Sequence, residues 1–137
     1  MSLERDFEKF TAGPLESEDK RLHVTMRRKG VIYLNGNVHR LLGKPEAVSL
    51  FFSRERETIA ICAADVRRRE SFPLVKQANG WRIRSSPFFR HYEIKVSTTQ
   101  RFIRPEYTAD GYLLLELRQT INSPPRRPKV KAQKFIK

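Results

Sequence analysis

A chain of 137 residues has the length of one domain and excludes two large independent folds. Its formal net charge of +13 and pI near 10.5 point to a polyanionic partner, with nucleic acid the class expected first, because such a field steers anions toward the surface. The single cysteine, Cys62, excludes an internal disulfide and reads as a buried strand residue; no apolar run suits a signal peptide or a membrane span, so a cytoplasmic protein without membrane contact is expected.

Residues 1–20 carry six acids against three bases and read as an acidic segment, a short helix or disordered. Ser2 can cap a helix with Leu3, Phe7 and Phe10 on one side, which Gly13-Pro14 ends. Residues 21–120 read as one β-rich domain. Leu22, Val24 and Met26 alternate with His23, Thr25 and Arg27, the period of a half-buried strand. Arg28-Lys29-Gly30 supplies a turn, and Val31 to Leu34 continues as a second strand. Asn35 or Asn37 is a candidate cap for a short helix that buries Val38, Leu41 and Leu42 and stops at Gly43 and Pro45. Val48 to Phe52 and Thr58 to Ala63 then form a hairpin with the charged tip SRERE.

A second block follows: a strand from Phe72 to Lys76, a turn at Asn79-Gly80, a strand from Trp81 to Arg84, and a helix capped by Ser86 with Pro87 at its first position. Strands are expected near Gln100–Arg104 and Tyr112–Leu117, with a turn at Asp110-Gly111. Residues 121–137, with Pro124-Pro125 and Pro128, read as a disordered basic tail. Sliding the chain by fifty sets Gly30 on Gly80, Arg40 on Arg90, Phe52 on Phe102 and Arg54 on Arg104, so 22–63 and 72–118 are possible internal repeats. The fold class expected is mainly β with short helices, a β-rich α+β barrel-like core that two repeats interleave to form.

The run Gly30-Val31-Ile32-Tyr33-Leu34, then His39-Arg40-Leu41-Leu42-Gly43, then Val48–Phe52 and Thr58–Ile61, resembles one copy of the swapped-hairpin DNA-binding domain of the AbrB, MazE and MraZ group of bacterial regulators. Arg27 stands where that family commonly has an acid, and Asn35 where it commonly has proline. The resemblance is fair over 24–61 and weak over about 72–118. It implies interdigitated hairpins, with basic residues of the first turn and the helix meeting DNA. It also implies either a homodimer or, if the chain carries both copies, a monomer with a pseudo-twofold.

The candidate nucleic-acid-binding residues are Arg27, Arg28, Lys29 and Arg40, the corresponding Lys76, Arg82, Arg84 and Arg90, and Arg126, Arg127, Lys129 and Lys131 of the tail. Arginine offers a two-pronged donor to phosphate or guanine and lysine a point charge; the tail would add salt-sensitive grip without sequence choice. Trp81 reads as core sooner than as a stacking platform, and Arg67-Arg68-Arg69 as a solvated loop. His23, His39 and His91 have no ligand spacing, and no nucleophile elbow or phosphate-cradling loop is present, so neither metal, cofactor nor catalysis is expected. The function expected is a DNA-binding transcriptional regulator; the alternatives are an RNA-binding or ribosome-associated factor and a protein-interaction module or antitoxin.

Overall fold

The computed structural model describes residues 21–123, so the expected N-terminal helix, the acidic segment and residues 124–137 of the basic tail lie outside the described residues; Ile121 and Asn122, expected in a disordered tail, are instead paired in a strand at the sheet edge. The alternation after Leu22 becomes β1 (Val24–Arg27), joined to β2 (Val31–Asn35) through a turn in which Gly30 takes φ +76°, a region open to glycine at little cost. Asn35 caps α1 (Gly36–Leu41), its side-chain oxygen accepting from the Val38 N–H at 3.2 Å. Gly43 at φ +92° and then Pro45 stop that helix. The uncharged runs AVSLFFS and TIAICAA pair over seven rungs as β3 (Ala47–Ser53) and β4 (Thr58–Ala64).

The second block gives β5 (Phe72–Gln77), β6 (Gly80–Arg84), α2 (Ser86–His91) and β7 (Gln100–Phe102), then β8 (Glu106–Tyr107), β9 (Leu113–Glu116) and β10 (Thr120–Asn122). Several details differ from the sequence expectation. In α1 Leu41, expected in the core, is exposed, and His39 is buried beside Val38 instead. Ser85, not Ser86, flanks α2, with Pro87 one position further in; the Ser85 hydroxyl makes no cap and donates instead to the Gly30 carbonyl at 2.7 Å, tying two turns together across the fold. The strand expected near Gln100–Arg104 ends at Phe102. β8 and β10 were not anticipated, since two or three residues are too short to display a period.

Strand makes up 45% of the described residues and helix 12%, so the fold is mainly β: one curled antiparallel sheet, a half-barrel of ten strands in the order β10-β7-β1-β2-β6-β5-β3-β4-β9-β8. The central seam is β2 with β6, from Val31↔Arg84 to Asn35↔Gly80. Outward from it lie β1, β7 and β10 on one side and β5, β3 and β4 on the other, with β9 and β8 added beyond β4. The β1–β2 hairpin therefore sits between β6 and β7, and the β5–β6 hairpin between β2 and β3. At the position opposite β4 stands β10; β9, which the fifty-residue offset aligned with β4, pairs with β4 itself.

The inner face of the sheet holds one core to which both blocks contribute. Val24, Ile32, Leu34, Ile61, Ile83 and Leu115 are fully buried there, each stabilising by about 1.5–3 kcal/mol through burial. α1 and α2 close it with Val38, Leu42, Phe88 and Phe89. Among the described residues no helix is long and apolar enough to cross a membrane.

Candidate nucleic-acid interface

Charge is graded along the sheet. The six adjacent strands from β10 to β5 hold Arg27, Lys76, Arg82, Arg84 and Arg101 and no acid; β3 and β4 hold no charge at all; β9 and β8 hold Glu116 and Glu106. Ion pairs among the described residues join Arg67 to Asp65, Arg68 to Glu70 and Arg118 to Glu57, all outside the basic strands. Among the described residues the arginines of that end therefore have no carboxylate partner.

Three groups of cations follow from the topology. At the Gly30 end, Arg28 and Lys29 of the β1–β2 turn meet α2, because Gly30 packs directly on Ser86; a side chain at Gly30 would reach the Ser86 Cα at 2.8 Å. Arg28, Lys29, Arg90 and Lys95 line one open cavity there of about 610 Å³, with Glu93 the only acid on its wall among the described residues. The partner of the basic turn is thus Arg90 of the second helix. Arg40 stands at the far end of β2, and a five-residue strand separates it from the turn by roughly 16 Å.

On the outer face of the sheet, cross-strand pairs share one side. Register aligns Arg101, Thr25, Tyr33 and Arg82 in one row, and Arg27, Val31 and Arg84 in the next. The Arg27 guanidinium lies over the Tyr33 ring, 5.3 Å from its centroid. A second cavity of about 410 Å³ opens on this face, lined by Arg27, Arg28, Lys29, Val31, Arg82 and Thr99 and so continuous with the basic turn.

At the Gly80 end the groups are differently engaged. Lys76 faces the inner side, opposite Trp81, and its ammonium lies 4.8 Å from the indole centroid. Trp81 also stacks on His39 at 4.2 Å, and His39 Nε2 is 2.9 Å from the Pro45 carbonyl. The indole is half-buried and already occupied by its neighbours, so it is a packing residue. Arg40 donates to Asn37 and lies beside the β5–β6 turn. Of the twelve candidates, the structure brings Arg27, Arg28, Lys29, Arg82, Arg84 and Arg90 to one end, sets Arg40 and Lys76 at the other, and does not describe Arg126, Arg127, Lys129 and Lys131.

Sequence reasoning missed Arg101, Lys95 and Tyr33. The alternation Gln100-Arg101-Phe102 carried a signal for Arg101, since Phe102 must face the core; Lys95 lies in irregular chain and carried none. Arg67 is bound bidentately by Asp65, which holds that carboxyl below the usual range, in keeping with a solvated loop. Cys62 is half-buried on the outer face of β4 and not fully buried as expected; burial nonetheless pushes its thiol pKa up, away from a reactive thiolate. No cluster of His, Cys, Asp or Glu suited to a metal is present among the described residues. No family model, curated protein or solved structure matches this chain.

Proposed function

We propose that this protein is a DNA-binding protein, a transcriptional regulator that grips duplex through phosphate contacts from Arg28 and Lys29 of the first turn and Arg90 of the second helix. The observation that carries the reading is their convergence on one cavity wall from two elements far apart in sequence, without ion-pair partners among the described residues. Rigidity matters as much as charge: the Ser85 to Gly30 hydrogen bond fixes turn against helix, so the cations dock without first being ordered. Arg27 and Arg84, on the adjoining face, extend the same basic surface.

On this reading the chain also contains two copies of a hairpin-exchanging unit, 22–63 and a second that runs to β10, and acts as a monomer with a pseudo-twofold between β2 and β6. The strand order supports it, because each block's first hairpin pairs with strands of the other block. The seams are similar as well: β1 meets β7, and β5 meets β3, over two rungs each.

The test is fluorescence anisotropy with a labelled duplex of about twenty base pairs across a salt series. The affinity should fall linearly on a log–log plot, by about 0.9 per phosphate neutralised. Arg90→Gln should weaken binding about threefold to tenfold and flatten the slope by about one. Salt-independent binding, or an Arg90→Gln variant equal to the parent, would remove the proposal.

A further inference from the structure

We infer that the outer face of β7, β1, β2 and β6 is a separate site for an unpaired nucleotide, with Tyr33 as the stacking platform, so that the preferred ligand is duplex DNA with a single-stranded extension. The inference rests on the DNA-binding reading and names the substrate class of the adjoining surface. Tyr33 is the one aromatic side chain in these four strands that points outward, the other two, Trp81 and Phe102, facing inward. Its ring reaches across to Gly80, where a Cβ would collide with the Tyr33 hydroxyl and with the Leu34 carbonyl. Glycine there lets the ring lie against the sheet, and a flat aromatic on an open sheet is a surface on which any base can stack.

Two flanking groups carry the inference beyond charge. In the same row as Tyr33, the Thr25 hydroxyl is buried in a residue only 4% exposed and has no hydrogen-bond partner among the described residues, and the Arg82 Nε–H is likewise buried and unpartnered among them. Buried polar atoms without partners are costly, and here two of them bracket one aromatic ring. Arg101 stands beyond Thr25 in the row, with Ile121 of the edge strand outside it, and Arg84 stands in the next row, giving phosphate donors on either side of the platform. A base over Tyr33 takes the place that the Arg27 guanidinium holds, freeing Arg27 for the adjoining phosphate. No acid lies in these strands to oppose a polyanion.

The experiment titrates the full chain with a labelled thymidine oligonucleotide of about fifteen residues and, separately, with a blunt duplex of similar length. Tyr33→Leu should weaken the single strand about tenfold and the blunt duplex less than twofold, while Tyr33→Phe retains both. Arg101→Gln, two strands from the ring, should weaken the single strand about threefold and keeps the test decisive should Tyr33→Leu fail to fold. An unchanged single-strand affinity in Tyr33→Leu (or in Arg101→Gln, where the former does not fold), or equal losses on both probes, overturns the site while leaving duplex binding in place. Failure of the parent chain to bind the blunt duplex overturns the duplex reading and is distinguished by the single-strand arm.

Discussion

The two ends of the sheet share one core and differ almost entirely in what they present outward. From β7 to β6 the outer rows carry Arg27, Arg82, Arg84 and Arg101 around Tyr33, whereas β3 and β4 present Ser49, Phe51, Ala60 and Cys62, with no charge in either strand. The inner faces are alike: Ile32 and Ile83 at one end, Ile59 and Ile61 at the other, all fully buried. Core packing therefore fixes the sheet without regard to charge. The outer alternating positions are free to vary, and only one end has gathered cations.

The largest effects are expected in the shared core. Ile32→Ala and Ile61→Ala should each cost about 2–5 kcal/mol, and denaturant unfolding followed by both tryptophan fluorescence and circular dichroism should remain a single coincident transition. Separate transitions would mean that the two ends are independent units. A smaller effect distinguishes two glycines of similar φ. Gly30→Ala should cost about 2 kcal/mol, since the added carbon meets Ser86 as well as the unfavourable φ, whereas Gly43→Ala, with open space around it, should cost about 1 kcal/mol.

Smaller again, Thr25→Val should stabilise the free protein by about 1 kcal/mol in thermal or denaturant unfolding, because it removes a buried hydroxyl without a partner and keeps the shape of the side chain. A loss of stability would mean that the hydroxyl is satisfied. The smallest effect is in pH. Burial, then the nearby Arg101 and Arg21, lower the pKa of His23 below its ordinary 6.5, so the unfolded chain takes up the proton first. The stability that neutral His23 contributes is present above that value and is lost as pH falls through the lower, folded-state value. His23→Gln should flatten that part of the Tm-against-pH curve, and an unaltered curve would show that neither burial nor the neighbouring arginines act on this imidazole.

Sequence alone made most of the elements legible, because Val24/Met26, Ile32/Leu34 and Ile59/Ile61 alternate clearly and Asn35, Gly43 and Pro45 punctuate the first helix. The pairing was not legible. That β2 meets β6 and that α2, not α1, backs the Arg28-Lys29 turn are long-range facts, and no local period encodes them. Arg40, close in sequence to the basic turn, accordingly stands in α1 at the opposite end of β2 from it. Thr25 has the period of an outward polar residue on a half-buried strand, yet it is covered too, since Tyr33 and Arg101 lie on either side of it in the row.

The most direct measurement compares charge-matched variants of the two ends against one labelled duplex across a salt series. Arg28→Gln with Lys29→Gln, and Ser49→Glu with Ala60→Glu, each remove two units of net positive charge. The first pair should weaken binding by about tenfold or more and flatten the salt slope by about two, and the second should stay within about twofold of the parent. Equal losses from both pairs would mean that net charge alone attracts the polyanion, and that the cations gathered at the Gly30 end do not form an interface.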